Sequence, residues 1–441
     1  MSELNTTTSD VNPHQQGSAA FQRKYLSRDI QAGIITGSMA IPLSIGIAMM
    51  SDYPIKVGLA TVAFASFIAW INAWFRPGNF IGSPGIAAGL APILALGVAT
   101  FGIENMAFVI FMTAIMQGLI WRFNLQRYIL LVVPTYLVEG LLAGIGLKIA
   151  LKFFAFTYEL PADLVADLSS TQAFWSSERM QIILLSSVFF GLFIYLFNKF
   201  QATRPAIPYF VIIILGVVVA QFMPVAMIEV EDVDLALAFP IPTFDNGWLL
   251  AYAFGFAVML AVIDVIEQVM SNAAIQKIDP LQRKCNSNNS LLAIWISNLG
   301  ASFFGGMTNL DGLAKSTTNK LAGAYTKFSV LVVGLVVTFF VVYSEHLEFL
   351  PKFALAVIMI FTGWKMIMGL MHVVHHGRYA LMLAILCGAL VYNVGIFEGL
   401  LIALAVHGFI HYLIYRAVEK MPRMAIIKKY LNSFSDKGAT Y

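Results

Sequence analysis

The sequence predicts an all-α polytopic membrane protein of about fourteen transmembrane segments, and three observations carry that prediction. Hydrophobic residues make up 59% of the chain and charged residues only 12%, with a mean hydropathy of +0.79. A soluble fold of 441 residues could not hide that much apolar surface from water. Apolar runs of about twenty residues recur along nearly the whole length, and a helix of that size crosses the roughly 30 Å hydrocarbon core. The runs are continuous, whereas strands of a membrane barrel alternate polar and apolar residues.

In chain order the spans fall near 30–50, 55–75, 86–100, 105–121, 128–153, 181–198 and 207–228, then 248–272, 290–303, 312–322, 326–344, 351–371, 379–395 and 398–416. With the amino terminus inside, the cytoplasmic connections hold Arg76, Arg122, Arg127, Lys199, Arg204, Lys277, Arg283, Lys284, Lys320, Lys327 and Arg378. The opposite connections hold Glu159, Asp163 and Asp167, and further on Glu229, Glu231, Asp232 and Asp234. Positive charge gathers in the cytoplasm, so both termini are expected there, in a bacterial inner membrane. Residues 1–28 read as a disordered cytoplasmic tail, since the first stretch is polar and lacks a signal-peptide pattern; residues 417–441 read as a second tail. Cys285 falls in a cytoplasmic loop and Cys387 inside a span, so neither a disulfide nor a zinc site is expected from the pair.

Each half of the series holds seven spans, residues 29–228 and 248–416. An odd number makes the second copy enter the membrane in the opposite sense, which is inverted-repeat architecture with substrate near the midplane. The third span of each half is short. One is introduced by Asn79-Phe80-Ile81-Gly82-Ser83-Pro84-Gly85-Ile86-Ala87, the other by Gly305-Gly306-Met307-Thr308-Asn309-Leu310-Asp311-Gly312-Leu313-Ala314-Lys315. A half-helix that starts inside the membrane leaves its first N–H groups unpaired, and these, with the positive end of the helix dipole, attract an anion. The expected anion site is therefore Ser83, Gly85, Ile86, Ala87, Gly312, Leu313 and Lys315. Close helix packing is the alternative use of such small residues.

These residues resemble the sulfate permease (SulP) family of inorganic anion transporters. Asp29-Ile30-Gln31-Ala32-Gly33 with Ala40-Ile41-Pro42-Leu43 is similar to the family's opening, and Gly140-Leu141-Leu142-Ala143-Gly144-Ile145-Gly146 to its fifth span. Phe304-Gly305-Gly306, Lys315-Ser316-Thr317-Thr318-Asn319 and Ala322-Gly323-Ala324 follow its tenth-span pattern. The resemblance covers roughly residues 28–416 and implies a core domain of spans one to four and eight to eleven, with a gate domain formed by the rest. It also implies a cytoplasmic STAS domain after the last span; this chain is expected to lack one, with any dimer contact through it missing or supplied otherwise. Gly and Pro are exchanged at Pro84-Gly85, and Asp311 and Lys315 replace the usual Gly and Arg.

Span eight carries Asp264, Glu267 and Gln268, spaced to share one helical face. A charge at mid-bilayer costs about 2.5–3.5 kcal/mol on insertion scales, so these acids need a partner, a proton or a bound cation. Ion coupling at Asp264, Glu267, Gln268 and Asp311, with sodium or a proton at Asp264, is one reading; a structural ion pair with Lys315 or another base is the other. Asp311 is expected to cap the tenth-span half-helix and to pair with Lys315 at i, i+4. Glu139 is expected to pair with Lys148 or Lys152, and His407 and His411 to make a contact within the gate rather than hold a metal.

The function expected is secondary active transport of a small inorganic anion. Bicarbonate coupled to sodium or protons leads, and sulfate, chloride or a dicarboxylate follows. A channel would show rings of like charge or a carbonyl-lined filter, and an enzyme would show convergent nucleophile, base or metal groups. No resident cofactor is expected. The anion, membrane lipid and a second copy of the chain are the partners foreseen, and nucleic acid is not among them.

Overall fold

The computed structural model describes residues 18–126, 128, 134–161, 177–244 and 246–426. Residues 1–17, Arg127, Asp163 and Asp167 lie outside the described residues. Among the described residues, fourteen helices of nine residues or more follow one another, one for each expected span. The first series is α1 (Leu26–Met50), α2 (Ile55–Phe75), α3 (Ala91–Phe101), α4 (Ile103–Arg122), α5 (Thr135–Phe154), α6 (Ser177–Phe200) and α7 (Ile207–Ala220). The second is α8 (Gly247–Ile278), α9 (Ser287–Ser302), α10 (Leu313–Leu321), α11 (Phe328–Val342), α12 (Lys352–Met368), α13 (Arg378–Asn393) and α14 (Ile396–Leu413). By length and composition α1, α2, α4, α6, α8 and α12 can cross a membrane, and α3, α7, α11, α13 and α14 are shorter apolar helices.

Local chemistry starts several of these helices. Pro92 and Pro208 stand in the first turns of α3 and α7, where a missing N–H costs nothing. Asn246 and Asn286 cap α8 and α9, accepting from the N–H groups of Trp248 and Asn289 at 2.9 Å each.

The helices sort into two packed groups, α1–α4 with α8–α11 and α5–α7 with α12–α14. Glycine makes the closest approaches in the second group. A Cβ on Gly140 would meet the carbonyl of Ala384, and one on Gly144 the carbonyl of Gly388, so α5 lies with its backbone against α13. In that group Tyr136 and Tyr379 meet His407 Nδ1 at 3.0 and 3.2 Å, a contact among helices as expected.

Besides the helices, the described residues hold one small sheet. Strands β1 (Ser83–Ile86) and β2 (Asn309–Gly312) pair antiparallel, with Ser83 opposite Gly312, Pro84 opposite Asp311, Gly85 opposite Leu310 and Ile86 opposite Asn309. Both lie in the segments that interrupt the third span of each half.

The two ends of the bundle differ. At the end that holds the first residues, Ala19 and Ala20 are buried, the Ala19 carbonyl accepts from Lys327 N at 2.9 Å and the Ala20 carbonyl from Trp70 Nε1 at 3.2 Å. The part of the expected tail from Ser18 to Arg28 is thus packed against the bundle. At the other end lysines meet acids: Lys56 and Asp232 at 3.3 Å, Lys152 and Asp52 at 2.8 Å, Lys352 and Glu159 at 2.7 Å. Lys152 is therefore not the partner of Glu139. The two stand at opposite ends of α5, about 20 Å apart along its axis.

Candidate functional site

Breaking a helix inside a membrane exposes backbone groups that lipid cannot satisfy, so both crossovers need internal partners. The first is held almost wholly by the second half of the chain. Asn79 Oδ1 accepts from Gly82 N at 2.9 Å, while its Nδ2 donates to Asn272 Oδ1, Ser290 Oγ and Asp311 Oδ2 at 3.1, 3.1 and 2.7 Å. Asn319 Nδ2 donates to the Ile81 carbonyl at 3.0 Å, Lys327 Nζ to Gly82 O at 2.6 Å and Lys315 Nζ to Pro84 O at 3.0 Å. Ser83 N donates to Ser316 Oγ at 3.0 Å. The second crossover leans on α2, α8 and α9: Met307 N donates to Thr61 Oγ1 at 3.0 Å, Asn309 N to Asn298 Oδ1 at 2.9 Å and Asp311 N to Gln268 Oε1 at 2.8 Å.

Both half-helices start without a side-chain cap. Strand pairing keeps Ile86 extended, so the third-span helix opens later than expected: Ala87 is its N-cap, a 3₁₀ turn runs over Ala88–Leu90 and α3 follows. The N–H groups of Ala88 and Gly89, rather than those of Ile86 and Ala87, open the helix and have no intrahelical acceptor. In the second half Gly312 is the N-cap and Leu313 the first helical residue. Leu313, 45% exposed, leaves that helix start open.

Asp311 does not cap α10. Its carboxylate Oδ2 accepts from Asn79 and Gln268, at 2.7 and 3.1 Å, and its ion pair is with Lys327 at 3.7 Å. An extended Asp311 in β2 points its side chain away from the first turn of the helix that follows. Lys315 forms no ion pair among the described residues. Its ammonium occupies the space beside Gly85, where a Cβ would overlap Nζ, so glycine is what admits it.

The acids of α8 divide instead of sharing partners. Asp264 is fully buried, and its Oδ2 accepts from Gln117 Nε2 at 2.5 Å and Asn298 Nδ2 at 3.2 Å. Amides of α4 and α9, not a base, are its partners. Glu267 reaches the start of the third-span helix, where a Cβ on Gly89 would overlap its carboxylate. Gln268 turns to β2, through its two bonds with Asp311. Asp264 Oδ1, Glu267 Oε1 and Ser83 Oγ are buried with no hydrogen-bond partner among the described residues. Lys327, expected in a cytoplasmic connection, is buried here on Asp311, and Asn79, Gln117 and Asn298 join the site as amides with no expected role. A lone amide in an otherwise apolar run is the signal that points to Gln117 and Asn298, since each is costly in lipid without a partner.

A polytopic helical membrane protein whose third and tenth helices start inside the bundle, side by side, is the class that these features define. The chain belongs to the sulfate permease family, whose model matches residues 26–389. Two Bacillus subtilis proteins are similar: "Putative sulfate transporter YvdB", 26% identical over 77% of this chain and 64% of its own length, and "Putative sulfate transporter YbaR", 24% identical over 78% and 69%. This chain thus spans somewhat under two thirds of YvdB. In fold it is similar to the transmembrane domain of the cyanobacterial bicarbonate transporter BicA, with a TM-score of 0.70 at 17% identity over 87% of this chain and 98% of that one. The anion transporter SLC26A9 matches with the same TM-score at 14% identity, over 88% of this chain and 66% of the other.

Proposed function

We propose that the chain is a secondary active transporter of a small inorganic anion, bicarbonate first, held between the starts of the two half-helices and coupled to a proton or sodium ion at Glu267 and Asp264. The observation that carries this reading is the Glu267 carboxylate lying against Gly89, at an uncapped helix start. A carboxylate there occupies the ground an anionic substrate needs, and like charges exclude one another. Substrate enters when Glu267 is neutralised, and the neutralising cation then travels with it. Asp264, one turn earlier, adds a second buried carboxylate with a free oxygen, and two such groups in lipid call for a proton or a cation. Lys315, in the first turn of α10, brings one cation to the helix starts, which suits a monovalent anion better than a divalent one.

Sulfate is the second reading, and the printed names of the two Bacillus relatives favour it. The experiment is an uptake panel in proteoliposomes with labelled bicarbonate and labelled sulfate, with and without sodium, at two external pH values. Saturable bicarbonate uptake driven by a sodium or proton gradient is expected. Sulfate uptake alone would replace the substrate assignment, and uptake indifferent to both gradients would end the coupling assignment.

A further inference from the structure

A cavity of about 470 Å³ lies between α1 and α10 on one side and the α6–α7 turn with the start of α7 on the other. That is a seam between the two packed groups of helices, and the volume falls in the roughly 300–1,000 Å³ range of small-molecule sites. The cavity is two-sided in chemistry. Thr203 and Arg204 line it from the turn at the end of the bundle, while Ile35, Ile207 and Phe210 line it from α1 and α7. Arg204 is exposed, and its side chain has no hydrogen bond or ion pair among the described residues, unlike the three paired lysines at the opposite end. On the same two helices Ile34 is 49% exposed and Ile214 59%, so α1 and α7 carry apolar surface of the kind that faces lipid.

We propose that this cavity holds one acidic phospholipid, its phosphate on the Arg204 guanidinium and one acyl chain along Ile35, Ile207 and Phe210. An unpaired guanidinium at the membrane boundary matches a phosphate by charge and by bidentate geometry, and the apolar wall below matches the chain. The lipid would touch both helix groups at once and so bear on how they move against each other.

The test uses the full chain, purified in detergent and titrated with phosphatidylglycerol or phosphatidylcholine, with bound lipid counted by native mass spectrometry. One phosphatidylglycerol per chain should be retained in preference to phosphatidylcholine. Arg204→Gln should weaken that retention about fivefold, the worth of one basic residue near an anionic lipid. Ala322→Phe, which fills the cavity without changing charge, should lower it at least as much, and Arg122→Gln, an exposed basic residue outside the cavity, should leave it unchanged. Equal retention in the Arg204→Gln protein and the unaltered one overturns the proposal. So does displacement of the lipid by excess inorganic phosphate, which would make Arg204 a site for a free anion.

Discussion

The Lys327 ammonium lies 3.7 Å from the Asp311 carboxylate and donates at 2.6 Å to the Gly82 carbonyl, so one side chain ties the two crossovers together. Both partners of this ion pair are buried. Removing one member of a buried pair costs about 3–5 kcal/mol because a charge is left without compensation. Lys327→Met should therefore lower the melting temperature in detergent strongly, and the Asp311→Asn, Lys327→Met double variant should recover most of the loss. The Asp311→Asn, Lys315→Gln double variant should show no such recovery. Equal recovery in both doubles would mean that Asp311 serves the two lysines alike.

Neutralising Glu267 permanently should separate binding from coupling. In Glu267→Gln the competing carboxylate is gone, so anion exchange across the membrane should persist while accumulation against a gradient and its dependence on pH or sodium are lost. Measuring exchange and net uptake in the same proteoliposomes checks this. Normal uphill uptake in the variant would move the coupling group elsewhere, with Asp264→Asn the next variant to measure.

Gly85 and Gly312 test the helix starts directly. A Cβ at Gly85 would overlap Lys315 Nζ, so Gly85→Ala should expel that ammonium from its bond to Pro84 O. Anion affinity should fall about tenfold, the scale of one hydrogen bond to a charged group. Gly312→Phe should fill the gap and stop transport with the protein still inserted. Unchanged kinetics in Gly312→Phe would mean that the anion does not pass between these helix starts.

Topology can be read with single cysteines at Arg76, Arg204 and Lys277, each of which should label only from the cytoplasmic side. The natural thiols should give little background. Burial, and behind it the Asp279 carboxylate, push the Cys285 thiol up to about 12, which leaves almost no thiolate at neutral pH. Cys387 is fully buried. Labelling of any of the three introduced cysteines from outside would reverse the orientation.

The helices and the two crossovers could be read from the chain because apolar runs and Gly-Pro interruptions are written along one dimension. Partner choice could not. Spacing offers Asp311 its i+4 neighbour Lys315, but an extended strand aims the carboxylate elsewhere, and the turn after α10 brings Lys327 back to it. Asp264 and Glu267 are one turn apart in sequence, yet α4 and α9 claim the first while the third-span half-helix meets the second. Which face of α8 meets which neighbour depends on where α4 and α9 pack, and local periodicity carries no record of that. The two-residue delay of the third-span helix start has the same origin, since β2, far along the chain, holds Ile86 extended.

The bond from Lys315 to Pro84 joins positions 231 residues apart, and at roughly 5–20 residues per second the ribosome needs about 10–50 s to make that stretch. During that interval the first crossover has already left the ribosome while its acceptors and donors, among them Asn319, Lys327 and Asp311, have not been synthesised. Several bare carbonyls and an amide in hydrocarbon cost several kcal/mol each, so the nascent first half cannot rest there in its final form. It must wait with that loop in contact with water or inside the insertion machinery, and a chain stopped after the seventh helix should be a substrate for membrane proteases rather than half of a transporter.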